Sequence, residues 1–198
     1  MAMVNSGSRI GILGGGFDPV HLAHLVIAET ARVQFVLDTV VFVPSGIPPH
    51  RSAFVASGKH RLEMVKLAIS GNPAFEASDI EITRTGISYT YDTVNMIRSQ
   101  NPGSAIFLIL GKDAYAIVDS WHRVEELAKM VTFLVADRRG KDVPGGHTSF
   151  QHTMCRLDSP LLEISSSDIR TRCMKGQSIR YLVPEPVREY IEREHLYG

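Results

Sequence analysis

Cysteine is nearly absent from this chain: Cys155 and Cys173 are the only two in 198 residues. Neither belongs to a C-x-x-C pair, which excludes a zinc knuckle or a thioredoxin-type motif. Free thiols in a reducing cytoplasm are the expectation, with a disulfide between the two left open. Net charge is missing as well, because 21 Lys and Arg balance 21 Asp and Glu. No global field draws the chain to nucleic acid or to an anionic membrane, so any site for a polyanion must be built from local charge. Apolar runs stop short of the roughly 20 residues that a membrane helix needs. The polar start from Met1 to Arg9 lacks the apolar core of a signal peptide. The expectation is a cytoplasmic protein with no nucleic-acid and no membrane partner; a homo-oligomer stays open.

Three well-defined motifs also fail. A dinucleotide fingerprint G-x-G-x-x-G would need a glycine at 19 after Gly14 and Gly16, and Pro19 stands there. A P-loop would need G-K-[ST], but Gly111-Lys112 is followed by Asp113. The zinc motif H-E-x-x-H does not occur, and no residue is assigned as a metal ligand.

What is present is core-forming material: 44% of residues are hydrophobic, enough for an ordered domain. The length suits one domain over 1–198, with a small C-terminal helical part from about 165. Strand-like runs at Ile10–Leu13, Thr39–Val43, Phe75–Thr83, Ala105–Leu110, Val131–Ala136 and Leu161–Ile164 alternate with helical patterns. The helices are expected at Leu22–Val36, Lys59–Ser70, Thr90–Gln100, Arg123–Lys129, from Ser165, and at Glu185–His195. Continuous apolar strands between helices predict an α/β fold, a doubly wound Rossmann-like parallel sheet with helices on both faces. The polar stretch from Arg138 to Thr153, with Gly140, Pro144, Gly145 and Gly146, reads as a surface loop.

The most informative segment is Gly14-Gly15-Gly16-Phe17-Asp18-Pro19-Val20-His21-Leu22-Ala23-His24. It follows the first strand, where ligands of doubly wound folds bind. Glycines let the backbone approach a phosphate and expose N–H groups to it, and the following helix N-terminus adds partial positive charge. His21 and His24, three apart, fall on one side of a first helical turn. From there both imidazoles can donate to phosphate oxygens and stabilise charge developing in nucleotidyl transfer. The competing reading is a helix start with two ordinary surface histidines. A second segment, Ile164-Ser165-Ser166-Ser167-Asp168-Ile169-Arg170, has capping-box spacing from Ser165 to Asp168. It presents hydroxyls and free N–H groups in the first turn, with Arg170 a turn further on as a planar fork for phosphate oxygens. Its competing reading is a solvent-facing cap.

Together these segments resemble the nucleotidylyltransferase superfamily, whose members carry an H-x-G-H pair and a late I-S-S-T-x-x-R segment. Within it the chain is similar to bacterial nicotinate-nucleotide adenylyltransferases over nearly its full length. The resemblance extends in order through Pro48-Pro49-His50-Arg51, Ser88-Tyr89-Thr90 with Asp92-Thr93, Gly111-Lys112-Asp113 followed by Trp121, Arg138-Arg139-Gly140, and Leu182-Val183-Pro184 to Leu196-Tyr197. Ala23 replaces the glycine between the histidines and Ser167 the common threonine. Alanine suits a helix better than glycine, and serine keeps the hydroxyl.

The resemblance implies transfer of AMP from ATP to nicotinate mononucleotide. His21, His24 and Arg170 are the implied catalytic residues. Gly14, Gly15, Phe17, Asp18, Gly111, Asp113, Ser166 and Ser167 join them as the implied ATP site. His50, Arg51, Tyr89, Thr90, Trp121 and Arg139 are implied for the mononucleotide, with Trp121 stacking on the pyridine ring. Mg²⁺ is implied with ATP, held by few protein ligands. Two alternatives stay open: a sibling transferase acting on nicotinamide mononucleotide or phosphopantetheine, and a nucleotide-binding module without turnover.

Overall fold

The computed structural model describes residues 7–49, 54–136, 153–160 and 162–198. Six parallel strands form one sheet in the order β3-β2-β1-β4-β5-β6. These are β1 (Arg9–Gly15), β2 (Thr39–Pro44), β3 (Phe75–Ala77), β4 (Ala105–Gly111), β5 (Val131–Ala136) and β6 (Thr153–Leu157). The order reverses between β1 and β4, which pair in parallel from Arg9–Ala105 to Leu13–Ile109. Helices α1 (Leu22–Gln34), α2 (Gly58–Ile69), α3 (Thr90–Gln100), α4 (Lys112–Tyr115), α5 (Val124–Ala128), α6 (Ser166–Met174) and α7 (Glu185–Arg193) surround the sheet. The fold is the Rossmann-like α/β sheet expected from the alternation of apolar strands and amphipathic helices.

Side-chain period 2 sorts each strand into two cores. Leu13, Val40, Phe42, Phe107, Ile109 and Leu134 point to one face, where they meet Ala28 and Ala31 of α1, Met64 and Val65 of α2, Ile169 of α6 and Val187 of α7. Ile12, Val41, Val43, Leu108, Phe133 and Val135 point to the other, against Val94 and Ile97 of α3 and Leu127 of α5. On α2 the buried face is Arg61, Met64, Val65 and Ile69. A buried arginine in that row is the one polar residue among them, and it is taken up below.

Two strand expectations need correction. The strand read over Phe75–Thr83 ends at Ala77. Beyond it the Asp79 carbonyl accepts from the Ile82 and Thr83 amides at 2.8 and 2.9 Å and from the Thr83 hydroxyl at 3.0 Å. This local turn outcompetes the Ile80/Ile82 alternation. The strand expected at Leu161–Ile164 is displaced: 162–164 have no regular structure, Leu161 lies outside the described residues, and the sixth strand is Thr153–Leu157. That segment carries Thr153 and Arg156, too polar to read as a buried strand, because it lies at the sheet edge. The Gln34 amide at the end of α1 fastens it, donating to the Arg156 carbonyl at 3.0 Å and accepting from the Asp158 amide at 3.0 Å. The expected surface loop from 138 lies outside the described residues up to 152.

Phe42 is fully buried, with Phe17 and Phe75 rings at 5.8 and 5.2 Å. Truncation there removes contacts on both sides of one strand. Phe42→Ala is expected to cost about 3–5 kcal/mol, the usual range for a buried phenylalanine, read as a lower urea midpoint at unchanged slope.

Candidate active site

The crest of the sheet at the carboxyl ends of β1 and β4 is left open by glycine. A Cβ added at Gly14 or Gly111 would meet nothing within 4 Å, so both backbones border free space. Beside Gly14 and Gly15 lies a cavity of about 440 Å³, at the switch point where doubly wound sheets bind ligands. Tyr89, Thr90, Asp113 and Trp121 line it, together with Ser45, Phe54, Glu81, Ser88 and His122.

The chain leaves β1 through a turn that is anchored rather than open. Phe17 has φ 48°, a conformation that non-glycine residues rarely adopt. Its ring is buried against Phe42 and against the His24 ring at 4.9 Å, so this side chain belongs to the core and only its backbone reaches the turn. Asp18 is also turned inward. Its carboxylate accepts from the Val55 and Ala56 amides at 2.8 and 3.0 Å and from the Tyr197 hydroxyl at 2.7 Å. These three bonds join the glycine turn to the segment before α2 and to the chain's last turn.

His21 caps α1 and His24 is its third residue. Their rings stack at 3.7 Å between centroids. The His21 amide donates to His24 Nδ1 at 3.2 Å, so the neutral His24 ring carries its proton on Nε2, as a donor. Burial holds the His24 pKa well below the ordinary histidine value, reinforced by the charge of His21. Burial alone lowers His21 to about 4. Both are therefore neutral at physiological pH. His21 Nδ1 is buried with no hydrogen-bond partner among the described residues, a polar atom that an incoming oxygen or N–H would satisfy.

The second motif folds against the first. Ser165 caps α6, its hydroxyl accepting from the Asp168 amide at 3.1 Å. The Ser166 hydroxyl donates to the Pro19 carbonyl at 2.9 Å. Arg170 Nη1 donates to the Asp18 carbonyl at 2.8 Å and lies 4.0 Å from its carboxylate; Nη2 donates to the Ser167 hydroxyl at 3.2 Å. The N-termini of α1 and α6 thus meet at one turn, and two helix ends with partial positive charge face a common region.

The predicted residues accordingly fall into two groups. His21, His24, Ser166, Ser167 and Arg170 gather about the Asp18–Pro19 turn. Gly14, Gly15, Asp113, Tyr89, Thr90 and Trp121 border the cavity. Tyr89 caps α3 and Thr90 begins it, so a helix N-terminus opens on the cavity. Trp121 packs on the core as well as lining the cavity. His50, Arg51 and Arg139 lie outside the described residues. Sequence reasoning missed His122, whose ring stacks on Tyr89 at 4.2 Å. It also missed Glu81, which accepts from the Thr93 hydroxyl at 2.7 Å and the Gly46 amide at 3.2 Å. The aromatic pair Trp121-His122 was a readable signal; Glu81 carried none, since it sits in a segment that reads as a strand.

The sequence matches the Cytidylyltransferase-like family model over residues 12–172, which defines the class. It is 44% identical over 192 residues to the probable nicotinate-nucleotide adenylyltransferase of Exiguobacterium sibiricum, spanning 96% of this chain and 99% of that one. It is 41% identical over 189 residues to the probable nicotinate-nucleotide adenylyltransferase of Salinibacter ruber, spanning 95% and 97%. The chain belongs to the nicotinate-nucleotide adenylyltransferase family. The Plasmodium falciparum nicotinic acid mononucleotide adenylyltransferase complexed with NaAD shares the fold, with a TM-score of 0.79 at 22% identity over 96% of this chain and 97% of that one. Among the described residues no helix is long and apolar enough to cross a membrane.

The lowered histidines make stability depend on pH. Unfolded histidine titrates near 6.5 while folded His21 titrates near 4, so between those values the unfolded chain binds more protons and stability rises with pH. The contribution is present above about pH 6.5 and is lost as pH falls through about 4. Unfolding free energies measured between pH 4 and 7 are expected to fall less toward acid in His21→Asn than in the unaltered protein.

Proposed function

We infer that this protein is a nicotinate-nucleotide adenylyltransferase, joining the AMP of ATP to nicotinate mononucleotide and releasing pyrophosphate. The observation that carries the reading is the division of the site. A neutral histidine pair and an Arg–Ser helix start share one turn, next to an aromatic cavity entered by a second helix N-terminus. The first group suits a triphosphate and the second a pyridine nucleotide.

In the proposed reaction a phosphate oxygen of the mononucleotide attacks the α-phosphorus of ATP. A new P–O bond forms, the bond from the α-phosphorus to the bridging oxygen breaks, and pyrophosphate leaves with that electron pair. The nucleophile is already anionic at neutral pH, so catalysis rests on alignment and charge stabilisation. His24, with its proton on Nε2, would donate to the phosphate oxygen on which charge accumulates. Arg170, Ser166 and Ser167 would hold the departing phosphates. Among the described residues no three His, Cys, Asp or Glu side chains cluster as metal ligands. Mg²⁺ would enter with the nucleotide and take few protein ligands. Bound there, it would neutralise developing phosphate charge.

The pyridine ring is assigned between Trp121 and the cavity wall, stacked on the indole. Its carboxylate would then face the N-terminus of α3, where Tyr89 and Thr90 line the cavity. A helix N-terminus favours an anion, which supports the nicotinate form over the uncharged amide.

The test is pyrophosphate release from Mg-ATP with either mononucleotide. Release with a strong preference for nicotinate mononucleotide is expected. Equal use of both discards the carboxylate assignment, and no release with either overturns the reading. His24→Ala is expected to lower turnover by about 10²–10³-fold, the scale of one lost oxyanion-type donor, in protein that still folds but melts at a lower temperature, since the ring also packs on Phe17 and accepts the His21 amide. Near-normal turnover would remove His24 from the mechanism.

A further inference from the structure

The geometry assigns Arg61, on the buried face of α2, as a positioning residue that sets the width of the mononucleotide cavity. The inference rests on the functional reading above and adds a residue to it. Arg61 is 3% exposed, and each nitrogen of its guanidinium meets a different stretch of backbone. Nη1 donates to the Gly16 carbonyl at 2.8 Å, Nη2 to the Ser45 carbonyl at 2.7 Å, and Nε to the Ala56 carbonyl at 3.2 Å. Those carbonyls belong to the glycine turn after β1, the segment after β2, and the segment leading into α2. Gly16 and Ser45 line the cavity themselves.

A fourth contact extends the clamp to a side chain. The guanidinium lies 3.9 Å from the centroid of the Phe54 ring, and that ring also lines the cavity. The same ring presses on the glycine turn: a Cβ at Gly16 would sit 2.7 Å from Phe54 Cε1. Phe54 is thus held by the cation and by the turn, and its place fixes one wall.

The chemistry explains why arginine stands there. Three carbonyls from three separate segments, one for each guanidinium nitrogen, suit a rigid planar fork, whereas an ammonium on a flexible stem does not match that spread. Burial of the cation is offset by these bonds and by the charges of Asp18 and Glu81, which counter the downward pull of desolvation on its pKa. A core position would be filled more cheaply by methionine or leucine, so the arginine is explained by what it holds. The histidine and Arg170 group is fastened separately, through Asp18 and α6.

The test separates the two halves of the site. Nicotinate mononucleotide turnover by the unaltered protein is established first, since its failure would sink the functional reading rather than this one. Arg61→Lys, which keeps the charge but loses the fork, is then expected to raise KM for the mononucleotide about tenfold, as a wall contact shared by ground and transition state would. KM for ATP should move less than about twofold. KM does not depend on how much of the protein folds, so a purely structural role would leave both values unchanged, and that result overturns the proposal. Equal rises for both substrates also overturn it. Where Arg61→Lys yields no folded protein, the unaltered enzyme decides by NMR. The Arg61 Nε–H signal, assigned through its bonded correlations to the Arg61 side chain and backbone in isotope-labelled protein, is expected to shift when nicotinate mononucleotide saturates the site. A signal that answers only to an unreactive ATP analogue, or to neither ligand, overturns the proposal.

Discussion

The buried carboxylate of Asp18 is the constraint on which the site depends. It sits at the tip of the glycine turn, 5% exposed, and gathers segments far apart in sequence. Two amides before α2, the hydroxyl of Tyr197 and, more distantly, Arg170 converge on it. An ionised carboxylate away from water is costly unless hydrogen-bonded. Here two N–H groups and one O–H supply the bonds that water would otherwise make. The tyrosine registers the same contact: burial first, then the hydrogen bond to Asp18 and its charge, push its pKa upward, so the hydroxyl remains a donor. The carboxylate therefore serves the scaffold, and it leaves phosphate chemistry to neighbours of neutral or positive charge.

That division has an electrostatic logic. An anionic substrate approaching the turn meets no free carboxylate from Asp18, because its oxygens point inward to donors. Around the turn stand instead two helix N-termini, the Arg170 guanidinium and two neutral imidazoles. Neutral histidines suit this place better than charged ones. Two stacked imidazolium rings at 3.7 Å would repel one another strongly. The fold lowers both pKa values by burial and fixes the His24 tautomer through the His21 amide. The result is an Nε2–H donor of fixed tautomer, the kind of group that the proposed transfer would use.

Much of this was legible in the sequence, and the unread parts have physical reasons. The α3 boundaries, Thr90–Gln100, were readable because a helical pattern begins after Tyr89 and ends before Asn101-Pro102-Gly103. The histidine and serine–arginine motifs were readable because capping, helix ends and phosphate chemistry leave local signatures. That Pro19 receives the Ser166 hydroxyl across 147 residues was not readable, since no local pattern reports a long-range bond. Asp18 looked like a nucleotide-site residue because its letter sits in the motif; its side chain is drawn inward by Val55, Ala56 and Tyr197, none of them near it in sequence. Edge strand β6 was passed over because an edge need not be apolar, and Ile80 and Ile82 looked like a strand because a turn can hold alternating apolar residues. Arg61 stands among core positions of α2, where a periodic reading takes a charged letter as solvent-facing.

The anchoring also explains why so simple a set of groups can suffice. A reaction whose nucleophile needs no deprotonation gains little from a tuned base and much from fixed distances. Fixed distances need loops that do not drift, and loops are the least restrained part of an α/β fold. Here the turn after β1 is held by the buried Asp18 and the cavity wall by the buried Arg61. Both charges are satisfied by main-chain groups of the loops they hold: Asp18 takes the amides of Val55 and Ala56, and Arg61 takes the Ala56 carbonyl. Ala56 thus lies between the two charges, its N–H donating to the carboxylate and its carbonyl accepting from the guanidinium. An ion left without its bonds in a low-dielectric interior is costly, so each charge resists displacement of the loops it holds. The two anchors meet at one residue yet hold different parts of the crest: Asp18 the turn that carries the histidines and faces α6, Arg61 the Ser45 and Phe54 side of the cavity.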